Sequence, residues 1–136
     1  MDDLAALSGW FAALLVIAAG LVPVSHRVFA GKRAAPASRF MGWHVAIGLS
    51  ASVIALLHTF ALLPALGSPA AIRGGMSALG PGAAGFFLLV AHVGVGLRLR
   101  GKVRGDRARL RRRHVALAIA IVVAASAHVV ALVRAG

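Results

Sequence analysis

The chain has 136 residues, of which 60% are hydrophobic and only 13% charged, against roughly a half and a quarter in an average soluble domain. A compact soluble domain of this length has too small a core to hide that much apolar surface, so the composition points to the bilayer. The absence of cysteine excludes disulfides, iron–sulfur clusters, thioether-attached haem and cysteine zinc sites, and three carboxylates (Asp2, Asp3 and Asp106) provide neither a di-iron site nor an acid–base pair.

Four stretches approach or exceed the roughly 20 apolar residues that cross a hydrocarbon core. They run from about Leu4 to Val24, Met41 to Leu66, Leu79 to Leu97 and His114 to Val133. The first opens on Met1-Asp2-Asp3 and lacks the basic flank of a signal peptide, so it reads as a retained span. Runs of alternating polarity are absent, and backbone groups in lipid must be satisfied within each segment, so all four spans are expected to be helices. No internal proline is expected to interrupt the spans, apart from Pro23 and Pro64 near their ends. The predicted fold is an all-α integral membrane four-helix bundle, up-down-up-down, forming one domain over residues 1–136.

The net charge of +12 would ordinarily suggest nucleic acid or anionic lipid. Its distribution argues for topology instead, and no nucleic-acid partner is expected. Arg27, Lys32, Arg33 and Arg39 lie between spans one and two. Arg98, Arg100, Lys102, Arg104, Arg107, Arg109 and Arg111–Arg113 lie between spans three and four, so these two connections hold thirteen of the fifteen basic residues. Only Arg73 and Arg134 lie elsewhere. The positive-inside rule then places both basic connections in the cytoplasm and both termini outside, in a multi-pass protein of the inner (plasma) membrane. The basic loops would also hold anionic headgroups or dock an acidic partner.

Ionisable residues inside membrane spans are expensive and are functional candidates by default. Of six histidines, His44 and His58 are fourteen residues apart in span two, and His114 and His128 are fourteen apart in span four. Fourteen residues make four turns at the 3.5-residue period of a left-handed bundle, so each pair occupies one stripe with roughly 21 Å between its members. Spans two and four are expected to run in the same direction, which puts His44 level with His114 near the cytoplasm and His58 level with His128 near the outside. Two imidazoles facing each other across a bundle suit the two axial positions of a haem iron. Zinc is a poor alternative, since it takes three or four protein ligands. The four histidines are therefore read as the axial ligands of two haems b.

Other residues carry softer signals. Gly9, Gly20, Gly48, Gly85, Gly94 and Gly96 would make room for a haem, or simply allow close helix packing. Arg39 and Arg111–Arg113 are candidates for the inner propionates, and Arg73 or Arg134 for the outer ones. Trp10, Trp43 and the phenylalanines read as interfacial or packing groups. Ser50, Ser52, Thr59 and Ser126 are expected to bond back to helix carbonyls. His26 abuts the first basic loop and reads as a headgroup-level side chain. His92 falls near the depth of His114 and would bond a propionate or a quinone, or pack.

With these residues in place, the chain resembles the ferric-reductase-like transmembrane domain shared with NADPH oxidases. The matching segments are Trp43-His44-Val45-Ala46-Ile47-Gly48 leading to His58-Thr59-Phe60, and Arg111-Arg112-Arg113-His114 leading to His128. Over about Arg39–Arg134, the resemblance implies paired histidines on alternate helices, basic residues before the second pair, and two b-type haems. The haem core of bc-type cytochromes b shares this logic, but its usual orientation conflicts with the basic-loop pattern. The family usually has six spans and often a flavin and nicotinamide domain, whereas this chain has four spans and no Gly-rich dinucleotide fingerprint. The expected function is transmembrane electron transfer, as a component of an oxidoreductase. Its donor would be a separate acidic flavoprotein, a ferredoxin-like carrier or a quinol, and its acceptor would lie outside. A membrane-anchor cytochrome of a larger quinone-linked complex is the first alternative, and a haem-free scaffold or small transporter the second.

Overall fold

The computed structural model describes residues 2–63, 75–101 and 106–135, with the side chains of Asp2 and Asp3 set aside. Pro64, Arg73, Lys102, Arg104 and the end of the second predicted span lie outside the described residues, as does Gly136. Four helices account for almost everything else: α1 (Asp2–Ala30), α2 (Arg39–Leu62), α3 (Gly75–Arg100) and α4 (Arg107–Ala135). No strand occurs among the described residues. The protein is all-α, as the apolar runs predict.

All four helices are long and apolar enough to cross a membrane. At 1.5 Å per residue, 24 to 29 residues make helices of about 36 to 44 Å, longer than a hydrocarbon core of about 30 Å. Large apolar side chains such as Leu14, Ile17, Val53 and Val123 are more than half exposed. In water such surface would drive association, whereas in lipid it is the outer coat of a multi-pass membrane protein.

The chain forms two compact units, Met1–Ala61 and Leu62–Gly136. Each is an antiparallel helical hairpin: α1 with α2, and α3 with α4. In the first hairpin Gly31, at φ 62°, follows the end of α1, where a left-handed residue stops a helix without a Cβ penalty. Ser38 caps α2 by accepting from the Met41 amide at 3.4 Å. In the second hairpin Asp106 caps α4, its Oδ1 accepting from the Ala108 and Arg109 amides at 2.8 and 3.0 Å. Arg107 donates to the Leu99 carbonyl at 2.7 Å and so ties the start of α4 to the end of α3.

Three boundaries differ from the sequence expectation. Helix α1 runs seven residues beyond Pro23; the proline lies inside the helix instead of ending it. Helix α3 starts at Gly75, not near Leu79, so Pro81 lies inside it, against the expectation that no further internal proline interrupts a span. Helix α4 starts at Arg107, not near His114. The second basic stretch is therefore largely helical: Arg98 and Arg100 sit in the last turn of α3, and Arg107, Arg109 and Arg111–Arg113 in the first two turns of α4. Hydropathy ends a span where charge begins, but a helix continues into the headgroups as long as its backbone bonds can form.

Candidate functional site: histidines on two hairpins

The four predicted ligands divide evenly. His44 and His58 are on α2 of the first hairpin, and His114 and His128 are on α4 of the second. Within each hairpin the neighbouring helix meets the histidines at a matching fourteen-residue interval.

In the first hairpin, Nδ1 of His44 lies 2.8 Å from the Ala19 carbonyl oxygen, and Nδ1 of His58 lies 2.9 Å from that of Ala5. A carbonyl only accepts, so each Nδ1 carries the proton and the ring's lone pair resides on Nε2. Ser8 reinforces the second bond: its hydroxyl donates to the same Ala5 carbonyl at 3.0 Å, and its Oγ lies 3.2 Å from His58 Nδ1. Midway between the two levels are Ala12 and Ala51, 8% and 1% exposed. The face is thus built on sevens, with His44, Ala51 and His58 on one helix and Ala5, Ala12 and Ala19 on the other. Small residues on α1 bring its backbone within reach of the imidazoles.

Pro23 explains why Ala19 is available. In an α-helix the carbonyl of residue 19 accepts from the amide of residue 23, and proline has none. His44 supplies the missing donor. Ala19 is itself buried, at 8% exposure, and a carbonyl left unpaired there would cost free energy.

The second hairpin repeats the arrangement. Nδ1 of His128 donates to the Ala78 carbonyl at 2.7 Å. A methyl group built on Gly82 would lie 2.9 Å from Cε1 and Nδ1 of the His128 ring, and one on Gly96 would lie 3.2 Å from Cε1 of His114. Gly9 holds the same relation to His58, at 3.0 Å. In all three, Nε2 is farther from the glycine than Nδ1 or Cε1. Between the levels lie Leu89 and Ile121, both buried, and Gly85, whose added methyl would touch Ala124 at an ordinary 3.7 Å.

A common rule emerges for the four rings. Each histidine corresponds to a pair of positions four apart on the neighbouring helix: Ala5 and Gly9 for His58, Ala19 and Pro23 for His44, Ala78 and Gly82 for His128, His92 and Gly96 for His114. Three rings bond the carbonyl of the first member. The fourth, His114, is stacked on the ring of His92, with centroids 3.8 Å apart and planes 17° from parallel. The sequence carries a trace of the same duplication, since His44-Val45-Ala46 and His114-Val115-Ala116 are identical triplets seventy residues apart.

The remaining predicted residues fall as follows. Gly9 and Gly96 lie against histidine rings, and Gly82, which sequence reasoning missed, is a third. Gly20, Gly48 and Gly94 face open space. Ser52 and Thr59 bond back to the carbonyls of Gly48 and Ala55, as expected. His26 donates from Nδ1 to the Lys32 carbonyl at 3.1 Å and packs edge-on against Phe40, so it pins the α1–α2 turn. Arg113 borders an open groove of about 440 Å³ lined by Val95, Ala116, Leu117 and Ala120.

Each hairpin carries two imidazoles whose chemistry suits metal ligation. Nδ1 donation to a backbone carbonyl selects the tautomer whose Nε2 can ligate, and fixes the plane of the ring. Among the described residues no three metal-ligating side chains converge, as a zinc site would require. Compared with protein-family models, with curated proteins and with solved structures, the chain gives no match.

Proposed function

We propose that this chain is a two-haem membrane cytochrome of the ferric-reductase-like kind that carries electrons across the bilayer. His44 and His114 would hold one haem b, and His58 and His128 the other. Electrons would enter from an acidic cytoplasmic protein or a quinol and leave to an acceptor outside, with the basic helix ends on the cytoplasmic face. The observation that carries the reading is the shared support of the histidines. Nδ1 of His44, His58 and His128 each donates to a buried or half-buried backbone carbonyl of the neighbouring helix, which directs metal binding to Nε2.

When bound, a haem with imidazole on both faces supplies outer-sphere one-electron transfer and leaves no open position for oxygen. The chain's own residues set the conditions. The Nδ1 bonds of His44, His58 and His128 would hold the plane of each ring and present Nε2 as the ligating atom. Gly9, Gly82 and Gly96 leave space that a side chain would take from the rings. Arg39, five residues before His44, and Arg111–Arg113, just before His114, are placed to pair carboxylates at one end, and Arg134 at the other.

A pyridine haemochrome assay on the purified full chain, with reduced-minus-oxidised spectra, tests the reading. Two low-spin haems b per chain are expected. A protein that folds and inserts with haem supplied, yet shows no haem spectrum, would belong with scaffolds or small transporters. Copurification of a stoichiometric dehydrogenase partner would move it to the membrane-anchor class.

A further inference from the structure

We infer that His92 is a positioning residue for the ligand His114, and that it sets the plane of that imidazole by stacking. The inference rests on the two-haem reading for its consequence, and on the second hairpin alone for its geometry. His92 occupies on α3 the place that Ala5, Ala19 and Ala78 occupy for the other three histidines. At those places a backbone carbonyl holds the ring; here a second ring lies flat against it, 3.8 Å away and 17° from parallel. The Nδ1 atoms of both rings are shielded from solvent.

The stack also excludes His92 as the second ligand on the iron that His114 would hold. Two axial imidazoles on one iron point their lone pairs at each other along a line. Rings stacked face to face lie in nearly parallel planes with centroids 3.8 Å apart and cannot share such a line. His92 therefore acts through His114. The plane of an axial imidazole governs its overlap with the iron orbitals, and groups around a ligand that fix its orientation tune the metal.

The test compares His92→Ala with His92→Phe, which keeps a flat ring and no nitrogen. In haem-loaded protein, low-temperature electron paramagnetic resonance resolves the two low-spin signals, and His114→Ala identifies which belongs to His114. His92→Ala is expected to shift that signal and its midpoint potential and leave the other in place, while His92→Phe restores both. If His92→Ala moves neither signal, or if His92→Phe behaves as His92→Ala does, the positioning role is overturned. A second readout needs no haem. In the apoprotein, the ring protons of His114 should resonate upfield because of the stacked ring, an effect lost in His92→Ala and kept in His92→Phe. Wild-type protein that cannot take up haem would defeat the two-haem reading, while the apoprotein resonances would still decide whether His92 holds His114. Absence of the upfield shift in wild-type apoprotein overturns the inference directly.

Discussion

His44 fills the hydrogen-bonding place that Pro23 leaves empty. The proline removes the amide that would bond the Ala19 carbonyl, and the imidazole Nδ1 donates to that carbonyl at 2.8 Å instead. One residue thus breaks a helix bond and another, on the next helix, repairs it. The repair lets α1 continue to Ala30, and it orients the histidine that is proposed to bind iron.

The first prediction follows from that exchange. Pro23→Ala restores an amide at position 23 and removes a helix-interior penalty of about 3 kcal/mol. Thermal stability should rise or hold. The restored amide then competes for the Ala19 carbonyl, so the signal of the His44 haem should shift while that of the His58 haem stays. Equal spectra in variant and wild type would mean that the bond from His44 does not depend on the proline.

Gly82 and Gly85 lie one turn apart on α3 and should respond oppositely to alanine. At Gly82 the new methyl would fall 2.9 Å from the His128 ring, too close without movement; at Gly85 it meets Ala124 at 3.7 Å. Gly85→Ala should be neutral or gain up to about 1 kcal/mol from helix propensity. Gly82→Ala should cost about 1–3 kcal/mol as overpacking and deplete or perturb the His128 haem selectively. Haem content per chain and redox titration of the two variants check the contrast.

Much of this was legible in the sequence. The four apolar runs gave the helices, and the fourteen-residue interval picked out the four histidines that the hairpins support. Pro23 misled because its effect depends on a partner on another helix, which no local rule sees. His92 was ambiguous for the same reason: a lone histidine in a span carries no label until its neighbour across the hairpin is known. Gly82 was passed over because it lies in an apparent span end beside Pro81, although α3 begins earlier. Most of the second basic stretch falls in helix ends, Arg98 and Arg100 in α3 and Arg107–Arg113 in α4, because arginine is a good helix former and charge alone does not stop a helix.

Asp106 gives a pH prediction. Its carboxylate lies outside the spans, and the backbone amide bonds from Arg109 and Ala108, with Arg112 and Arg111 nearby, hold its pKa below the usual carboxylate value. A group with a depressed folded pKa contributes stability above its unfolded pKa, and that contribution is lost as pH falls through the folded value. The start of α4 should therefore fray at acid pH. Asp106→Asn should keep the cap and remove this pH dependence, whereas Asp106→Ala should fray at every pH. Amide hydrogen exchange at Ala108 and Arg109 measures both.

The last prediction concerns the arginines at the start of α4. A helix N-terminus carries partial positive charge, so Arg107, Arg109 and Arg111–Arg113 oppose the dipole of the helix they begin. Asp106 offsets this locally, and Arg107 has a structural bond to the Leu99 carbonyl. Arg111 and Arg112 act on Asp106 through charge, and topology needs far fewer charges than this. A field of one sign beside the proposed inner ligand His114 would draw an acidic electron carrier, over a Debye length of about 8 Å at physiological ionic strength. Arg109→Gln, Arg111→Gln and Arg112→Gln combined spare Arg107, Arg113 and the Asp106 cap, so haem content should survive. Reduction by an acidic donor protein, such as a flavoprotein or ferredoxin-like carrier, should then slow by about tenfold or more at low salt and lose its salt dependence. Anionic lipid is the competing partner for the same charges. Unchanged reduction kinetics in the triple variant, together with weaker binding to anionic vesicles, would assign the cluster to the membrane surface instead of the donor.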